Sequence, residues 1–227
     1  MLKRMSTIAL AALVVGAGPV SAQGAPAAGG SGKAYALLDQ AASKYQDVHS
    51  MRAEFTQELD NPLLGTQTKS RGMLFQREPD GFLMRFREPA GDVIVSDGEY
   101  FWLYYPSVDR KQVIRSPVNA AARPGVDLQA QFIGDPEQRF NAKYDGTDTV
   151  DGRKADVLTL LPRTDAGYRS MKVWIDAQDH LVRRFIITDT QGLVRHIELH
   201  DIVVNLTLPD SLFRFTPPPG ARIIDRG

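Results

Sequence analysis

The sequence predicts a mainly β fold of the α+β class, built on one antiparallel sheet with a few helices. Short segments with a period of two recur along the chain, separated by turn dipeptides such as Asp97-Gly98 and Gln191-Gly192. No helical pattern alternates with these segments, which argues against a parallel sheet. We therefore expect about eleven strands in a meandering sheet that curls toward a barrel.

The N-terminal residues predict export from the cytoplasm. Lys3 and Arg4 precede an apolar stretch at residues 8–15, and small residues lead up to Ala22. An uncleaved membrane anchor is the alternative, but the stretch is shorter than the ~20 residues that a spanning helix needs. We expect a signal peptide at residues 1–22, a flexible leader at 23–32, and a single periplasmic domain at 33–227.

The period of the apolar residues changes along the domain. Tyr35, Leu38 and Tyr45 form one stripe of a helix predicted at residues 33–47. Leu128 and Phe132 belong to a short helical or irregular insert between residues 117 and 137, where the strand pattern lapses. The predicted strands are residues 51–59, 66–76, 82–87, 93–96, 100–105, 111–115, 139–144, 155–161, 168–175, 181–188 and 193–203.

Composition excludes several classes of function. The chain has 27 basic and 27 acidic residues, so it lacks the positive charge that drives nucleic-acid binding. It has no cysteine, which excludes disulfides, cysteine-ligated zinc and a lipidated N-terminal cysteine. Nucleotide-binding loops, nucleophile elbows and zinc-protease helices do not occur in the sequence. We therefore predict no enzymatic activity and no cofactor.

One short segment raises a metal-binding alternative. On a strand, His196, Glu198 and His200 share one face, as metal ligands would. Ile197 and Leu199 alternate with them and point to the other face, which is the ordinary pattern of an amphipathic strand. The amphipathic strand is the favoured interpretation, and no metal site is predicted.

The segment YFWLYY at residues 100–105 is apolar on both faces. Such a strand is either covered on both sides or borders an apolar pocket. Two arrangements remain open: a helix and the core cover the two faces, or a pocket lies between the sheet and the helical segments. The predicted lining, uncertain by one residue of register, is Phe55, Phe75, Phe82, Met84, Phe86, Trp102 and Tyr104, with Leu38, Leu128 and Phe132 from the helical segments.

Six sequence blocks together resemble one known family. They are AEFTQ (53–57), REPDGF (77–82), EP (88–89), VIVSDG (93–98), WLYYP (102–106) and FRFTPPPG (213–220). In this order and spacing they are similar to the periplasmic outer-membrane lipoprotein carriers, the LolA family. The resemblance implies an incomplete antiparallel β-barrel closed by a helical lid, whose apolar cavity holds the acyl chains of lipoproteins.

The resemblance also implies partners. Acylated lipoproteins would be the cargo, an inner-membrane ABC lipoprotein-releasing transporter the donor, and in many bacteria an outer-membrane receptor the acceptor. We expect a monomer. A periplasmic lipid-binding sensor or regulator built on the same fold is the alternative function. The outer-membrane acceptor itself is disfavoured, because it is normally anchored through a lipidated cysteine.

One residue departs from the family pattern. The family usually has an arginine directly before the first proline of the second block, where it latches the lid. Here Glu78 precedes Pro79, and the arginine is displaced to Arg77. A slip of one residue turns a side chain to the opposite face of a strand. Arg77 is the predicted latch; the alternatives are Arg85 or Arg87 in its place, or a different mode of closure.

Overall fold

Twelve β-strands of one sheet dominate the computed structural model, which describes residues 29–118 and 135–226. The strands are β1 (Ser50–Asn61), β2 (Thr66–Arg77), β3 (Gly81–Glu88), β4 (Val93–Asp97), β5 (Tyr100–Tyr104), β6 (Gln112–Pro117), β7 (Phe140–Val150), β8 (Arg153–Pro162), β9 (Tyr168–Asp176), β10 (Val182–Asp189), β11 (Val194–Val204) and β12 (Arg222–Asp225). The helices are α1 (Gly29–Gln46), the short α2 (Pro136–Arg139) and a 3₁₀ helix at Asp210–Phe213. The predicted mainly β fold is confirmed.

The strand order is β12-β6-β5-β4-β3-β2-β1-β11-β10-β9-β8-β7. Neighbouring strands are antiparallel except for β12, which pairs parallel with β6. Since β12 and β7 lie at opposite ends of this order, the sheet is open rather than closed. An unclosed sheet agrees with the incomplete barrel expected from the sequence.

Two details of the strands differ from the prediction. The twelfth strand, β12, was not predicted, because only four residues form it and its partner β6 lies about a hundred residues earlier. The strand predicted at residues 139–144 continues to Val150 as β7, with a bulge between Tyr144 and Gly146. The β7–β8 turn uses Asp151 and Gly152, which have φ values of 50° and 74°.

Helix α1 is longer than predicted. It begins at Gly29, so residues 29–32 of the predicted flexible leader are helical. The predicted signal peptide lies outside the described residues. Near the predicted insert, Asp135 caps α2, since its Oδ1 accepts hydrogen bonds from the backbone N–H groups of Glu137 (3.0 Å) and Gln138 (3.3 Å).

Helix α1 is fixed to strands at the β7 end of the sheet. The Tyr35 hydroxyl donates to the backbone oxygen of Phe140 at 3.2 Å, and Lys33 Nζ lies 3.4 Å from Asp156 Oδ1. At the other end of the helix, the buried Tyr45 hydroxyl accepts a hydrogen bond from the N–H of Val182 at 3.2 Å. Burial raises the pKa of Tyr45 to about 12, so this hydroxyl stays neutral.

The sheet has two differently covered faces. The inner face packs against α1 and carries one continuous buried cluster of apolar side chains. Its sheet members include Met51, Ala53, Phe55, Leu74, Phe82, Met84, Phe86, Ile94, Phe101, Leu158, Leu160, Met171, Val173, Phe185, Ile187, Ile197 and Leu199. The residues therefore come from strands on both sides of β1, and the inner face forms the main core.

The outer face is covered only in part. Residues 205–225, here called the C-terminal strap, include the 3₁₀ helix and end in β12. The strap packs on the outer face through Leu208, Leu212, Phe213, Phe215 and Ala221. Beneath it lies a second cluster from β2–β6: Phe75, Leu83, Val93, Val95, Tyr100, Trp102, Tyr104 and Val113. Beneath the strap the sheet is thus apolar on both faces.

Candidate functional site

Five of the predicted lining residues lie together on the inner face. Phe55, Phe82, Met84 and Phe86 from the sheet join Leu38 of α1 in one cluster, and none is more than 6% exposed. The three β3 residues are two positions apart, so their side chains leave the strand on the same side. The inner face therefore carries a broad, buried apolar layer built from β1, β3 and α1.

Aromatic rings extend this layer across three strands. The Phe55 and Phe86 ring centroids are 5.1 Å apart in an edge-to-face arrangement, and the Phe86 and Tyr105 ring centroids are 6.3 Å apart. Phe82 lies 5.7 Å from Phe101. Edge-to-face and tilted contacts of this kind are favourable for aromatic pairs. Phe101 and Tyr105 were not among the predicted lining residues.

The structure corrects the register of residues 100–105 by one position. Trp102 and Tyr104, predicted to line the pocket, point to the outer face and contact the Phe215 ring of the strap at 5.5 and 6.0 Å. Phe101 belongs to the inner cluster instead, and Tyr105 packs against it. The strap explains this difference. Because it covers the outer face of β5, both faces of this strand are apolar, and no polar residue indicates its orientation.

Phe75 requires the same correction. Leu74 belongs to the inner cluster, so its neighbour Phe75 on β2 points outward and packs with the strap cluster. The two remaining predicted lining residues, Leu128 and Phe132, lie outside the described residues.

Arg77 contacts the C-terminal strap. Its Nη1 donates to the backbone oxygen of Leu208 at 2.8 Å and lies 2.7 Å from Asp210 Oδ1. The guanidinium carbon is 4.9 Å from the centre of the Phe213 ring. Arg77 thus meets a helical segment, as a latch would, but the segment is the 3₁₀ helix on the outer face and not α1.

The two alternative arginines also point outward. Arg85 and Arg87 alternate with the inward Met84 and Phe86, and Arg87 Nη1 lies 3.1 Å from Glu54 Oε1. At the family's arginine position, Glu78 Oε2 is 2.9 Å from His49 Nδ1. The Glu78 N–H also donates to the His49 backbone oxygen at 3.0 Å. Thus Arg77 joins β2 to the strap, Arg87 joins β3 to β1, and Glu78 joins the β2–β3 connection to the residue that precedes β1.

The inner face also carries a cation that sequence reasoning missed. Arg195 lies on β11 opposite Leu59 of β1 and Ile187 of β10. Burial lowers its pKa, while Tyr105 and Asp189 act in the opposite direction. A signal was present in the sequence: Arg195 is two residues before Ile197 and four before Leu199, both assigned to the core, so alternation alone places it on their face.

The His196, Glu198 and His200 side chains share the outer face, as the sequence predicted, but each contacts a side chain outside the group. His196 Nε2 lies 3.4 Å from Asp60 Oδ2, and Glu198 Oε2 lies 2.7 Å from Arg184 Nη2. His200 Nδ1 is 3.6 Å from an Asp151 carboxylate oxygen. In residues 29–118 and 135–226, no group of three histidine or acidic side chains is arranged to hold a metal ion. The arrangement fits the amphipathic strand.

The candidate surface is the apolar inner face, bounded by α1 and interrupted by Arg195. A surface of this kind matches acyl chains in chemistry, because it offers extensive apolar contact and few hydrogen-bonding groups. The helices in the described part of the chain are too short or too polar to cross a bilayer.

Comparison with known proteins identifies the family. The outer membrane lipoprotein carrier protein LolA family model matches residues 46–216. An outer-membrane lipoprotein carrier protein of Alkalilimnicola ehrlichii is 28% identical over 84% of this chain and 87% of its own length. That of Methylibium petroleiphilum is 30% identical over 78% of this chain and 84% of its own.

Among solved structures, an uncharacterized conserved protein from Thermus thermophilus is 15% identical, with a TM-score of 0.53. That match covers 86% of this chain and 99% of the other and concerns the fold alone. The family model spans most of the domain, and the carrier proteins named above agree with it. The open sheet, the apolar inner face and the sequence matches together show that this chain belongs to the LolA family of outer-membrane lipoprotein carrier proteins.

Proposed function

We propose that this protein is a periplasmic carrier that shields the acyl chains of lipoproteins and shuttles them from the inner to the outer membrane. The observation that carries the proposal is the inner face, where Phe55, Phe82, Met84 and Phe86 join α1 in one apolar cluster. The carrier names of the relatives support the same cargo. The family consists of carriers, and we propose no catalytic role.

The energy of transfer explains why such a carrier is needed. Moving a sixteen-carbon chain out of water is worth roughly 12 kcal/mol at about 0.8 kcal/mol per CH₂ group. A triacylated lipoprotein has three such chains, so it leaves a membrane at a useful rate only when a protein covers them. An apolar face assembled from a sheet and a helix supplies that cover.

Release sets the opposite requirement. A carrier must bind cargo more weakly than its acceptor does, since a ligand moves onward only down a gradient of free energy. The sequence contains no nucleotide-binding loop. We therefore propose that an inner-membrane ABC lipoprotein-releasing transporter supplies the energy for loading and that an outer-membrane receptor or the membrane itself accepts the cargo.

Substitutions on the two faces of neighbouring strands test the proposal. Phe86 on β3 belongs to the inner cluster, whereas Phe75 on β2 packs beneath the strap. Phe86→Ala should weaken binding of a synthetic triacylated lipopeptide by about tenfold, since a lost aromatic contact is worth at least about 1.5 kcal/mol. Phe75→Ala is the matched control, with a similar loss of ring area but an unchanged affinity.

Mass spectrometry of the protein purified from the periplasm should also detect bound lipoprotein. Protein free of lipoprotein and unable to bind the lipopeptide would refute the proposal. Lipopeptide binding without transfer to acceptor vesicles containing the receptor would instead favour the periplasmic sensor or regulator.

A further inference from the structure

Arg195 is a positive charge among apolar residues of the inner face. Its partners across the neighbouring strands are Leu59 of β1 and Ile187 of β10, and directly opposed residues of an antiparallel pair share a face. The next two residues on that side of β11, Ile197 and Leu199, are only 2% and 1% exposed. The guanidinium therefore extends from the inner face rather than into the charged outer one.

No hydrogen bond or ion pair of this guanidinium is found in the part of the chain that the structure describes. Asp189 influences it electrostatically, but the Asp189 Oδ1 atom already accepts the N–H groups of Gln191 (2.8 Å) and Leu193 (2.9 Å). Tyr105, the other group that acts on it, also packs on the inner cluster. By contrast, Arg184 on the outer face of β10 is paired with Glu198 at 2.7 Å.

A partly buried cation without a hydrogen bond or an ion pair is costly, because burial removes water that would otherwise solvate the charge. The lowered pKa of Arg195 has the same cause. A second polar group lies on the same face: Gln57 pairs opposite Ile197, and its Oε1 is buried without a hydrogen-bond partner. Its Nε2 is bonded to Ser70 Oγ at 3.1 Å, so only one end of the amide is satisfied.

We infer that Arg195 binds the anionic head of an acyl-chain ligand on the inner face. The apolar cluster would hold the chain, and the guanidinium would donate charge-assisted hydrogen bonds to a carboxylate or phosphate. Gln57 lies one diagonal step away across the strands and offers a further polar contact. The inference goes beyond the proposed carrier function, because the acylated end of a lipoprotein has carbonyl groups but no such anion.

Binding assays with matched ligands test the inference. Palmitate and methyl palmitate have the same chain, but only palmitate carries a negative charge. The wild-type protein should bind palmitate at least about tenfold more tightly, and Arg195→Leu should abolish that preference while leaving methyl palmitate affinity unchanged. Arg184→Leu, a loss of charge on the outer face, is the control and should retain the preference.

Dipalmitoyl phosphatidylglycerol provides the second arm. Arg195-dependent binding of palmitate alone identifies a fatty-acid carboxylate as the ligand, and Arg195-dependent binding of the phospholipid alone identifies a phosphate. If neither ligand depends on Arg195, or if Arg184→Leu has the same effect, the inference is wrong. Binding of a neutral triacylated lipopeptide is measured in parallel. If the protein does not bind this lipopeptide, the result counts against the carrier function and not against the anion site.

The thermal midpoint separates ligand binding from a structural role. Arg195→Leu replaces a cation that has no hydrogen bond or ion pair by an apolar side chain, so its midpoint should equal or exceed that of the wild-type protein. A marked loss of stability would show that Arg195 holds the fold together, and it would overturn the inference. Arg195→Lys should keep part of the preference for palmitate, because it retains the charge but not the planar fork of donors.

Discussion

The sheet has two halves, β2–β6 on one side of β1 and β7–β11 on the other, and they differ most on their outer faces. Over β2–β6 part of the outer face is apolar and lies beneath the C-terminal strap, with Trp102 and Phe213 in the same cluster. Over β9–β11 it carries charged side chains such as Lys172, Arg184 and Glu198, which pair with one another or with neighbours. The inner face, in contrast, is apolar across both halves. One half is thus held from two sides by extensive apolar contacts. The other is held by apolar contacts inside and, outside, by ion pairs and a small apolar cluster around Val157 and Trp174.

The largest effect should come from removing the anchor of the strap. Phe213 is 4% exposed and packs from the strap into the cluster that contains Leu83 and Trp102. Phe213→Ala should lower the free energy of unfolding by about 3 kcal/mol, as large-to-small changes of buried aromatic residues do. Urea denaturation measures this loss, and Leu64→Ala, at a side chain that is 72% exposed, is the control.

A change below about 1 kcal/mol for Phe213→Ala would show that the strap rests on the outer face without stabilising it. The two halves would then not differ in the way described. Increased binding of a fluorescent apolar probe should accompany the loss, because the residues beneath the strap become accessible to solvent.

The next prediction concerns the charged half. Asp176, only 1% exposed, ends β9 and is paired with Arg153 and with Arg183 Nε at 3.3 Å. Burial alone would raise its pKa, but the hydrogen bonds from Arg153 and from two backbone N–H groups outweigh this and lower it to about 2. The carboxylate therefore stabilises the fold at neutral pH by about 2 kcal/mol, since one pKa unit corresponds to about 1.4 kcal/mol.

The contribution of Asp176 depends on pH. Because its pKa is depressed in the folded state, the contribution is complete above about pH 5 and is lost as the pH falls toward 2. Asp176→Asn should lose about 2 kcal/mol at pH 7 and show a shallower decline in stability between about pH 5 and pH 2. Asp39→Asn, at an exposed position of α1, is the control. Equal acid sensitivity of Asp176→Asn and the wild-type protein would contradict the prediction.

Whether the outer face is covered by the strap or exposed to solvent explains what could be predicted from the sequence. On β3, the polar Arg85 and Arg87 mark the outward direction, so Phe82, Met84 and Phe86 were predicted together and the structure brings them together. On β11, the polar residues that alternate with Ile197 and Leu199 indicate the outward direction in the same way. Where the outer face is solvated, alternation of polar and apolar residues reports orientation directly.

Under the strap, the alternation of polar and apolar residues no longer indicates which way a side chain points. Residues 100–105 are all apolar or aromatic, so nothing local distinguishes Trp102 from Phe101, and the predicted register was wrong by one residue. The covering segment comes from about a hundred residues later in the chain, and β12 pairs with β6 only through this long-range contact. Tertiary packing of this kind leaves no periodic signal in the sequence. Arg195, in contrast, lies two residues before Ile197, so alternation could predict its face. That it makes no hydrogen bond or ion pair in the described structure could not be predicted.

Arg77 should have a smaller effect on stability than either Phe213 or Asp176. Its contacts with Leu208, Asp210 and Phe213 hold the strap to β2. Arg77→Leu should lower the free energy of unfolding by about 1 kcal/mol, since one charge-assisted hydrogen bond is lost from a partly exposed side chain. Lipopeptide affinity should stay unchanged, because these contacts lie on the outer face. Loss of cargo transfer at unchanged stability would instead support the latch role that the family resemblance implies.

The smallest effect should come from an exposed ion pair on the outer face. Arg71 Nη2 and Glu88 Oε1 are 2.5 Å apart, but both side chains are 62% exposed. The hydrogen bond from Arg71 lowers the pKa of Glu88, yet solvent and salt screen a pair this exposed. Arg71→Ala, Glu88→Ala and the double variant should therefore have thermal midpoints within measurement error of the wild-type value. A measurable coupling between the two changes at physiological salt would mean that exposed pairs also hold this face, and that ion pairs stabilise both halves of the sheet.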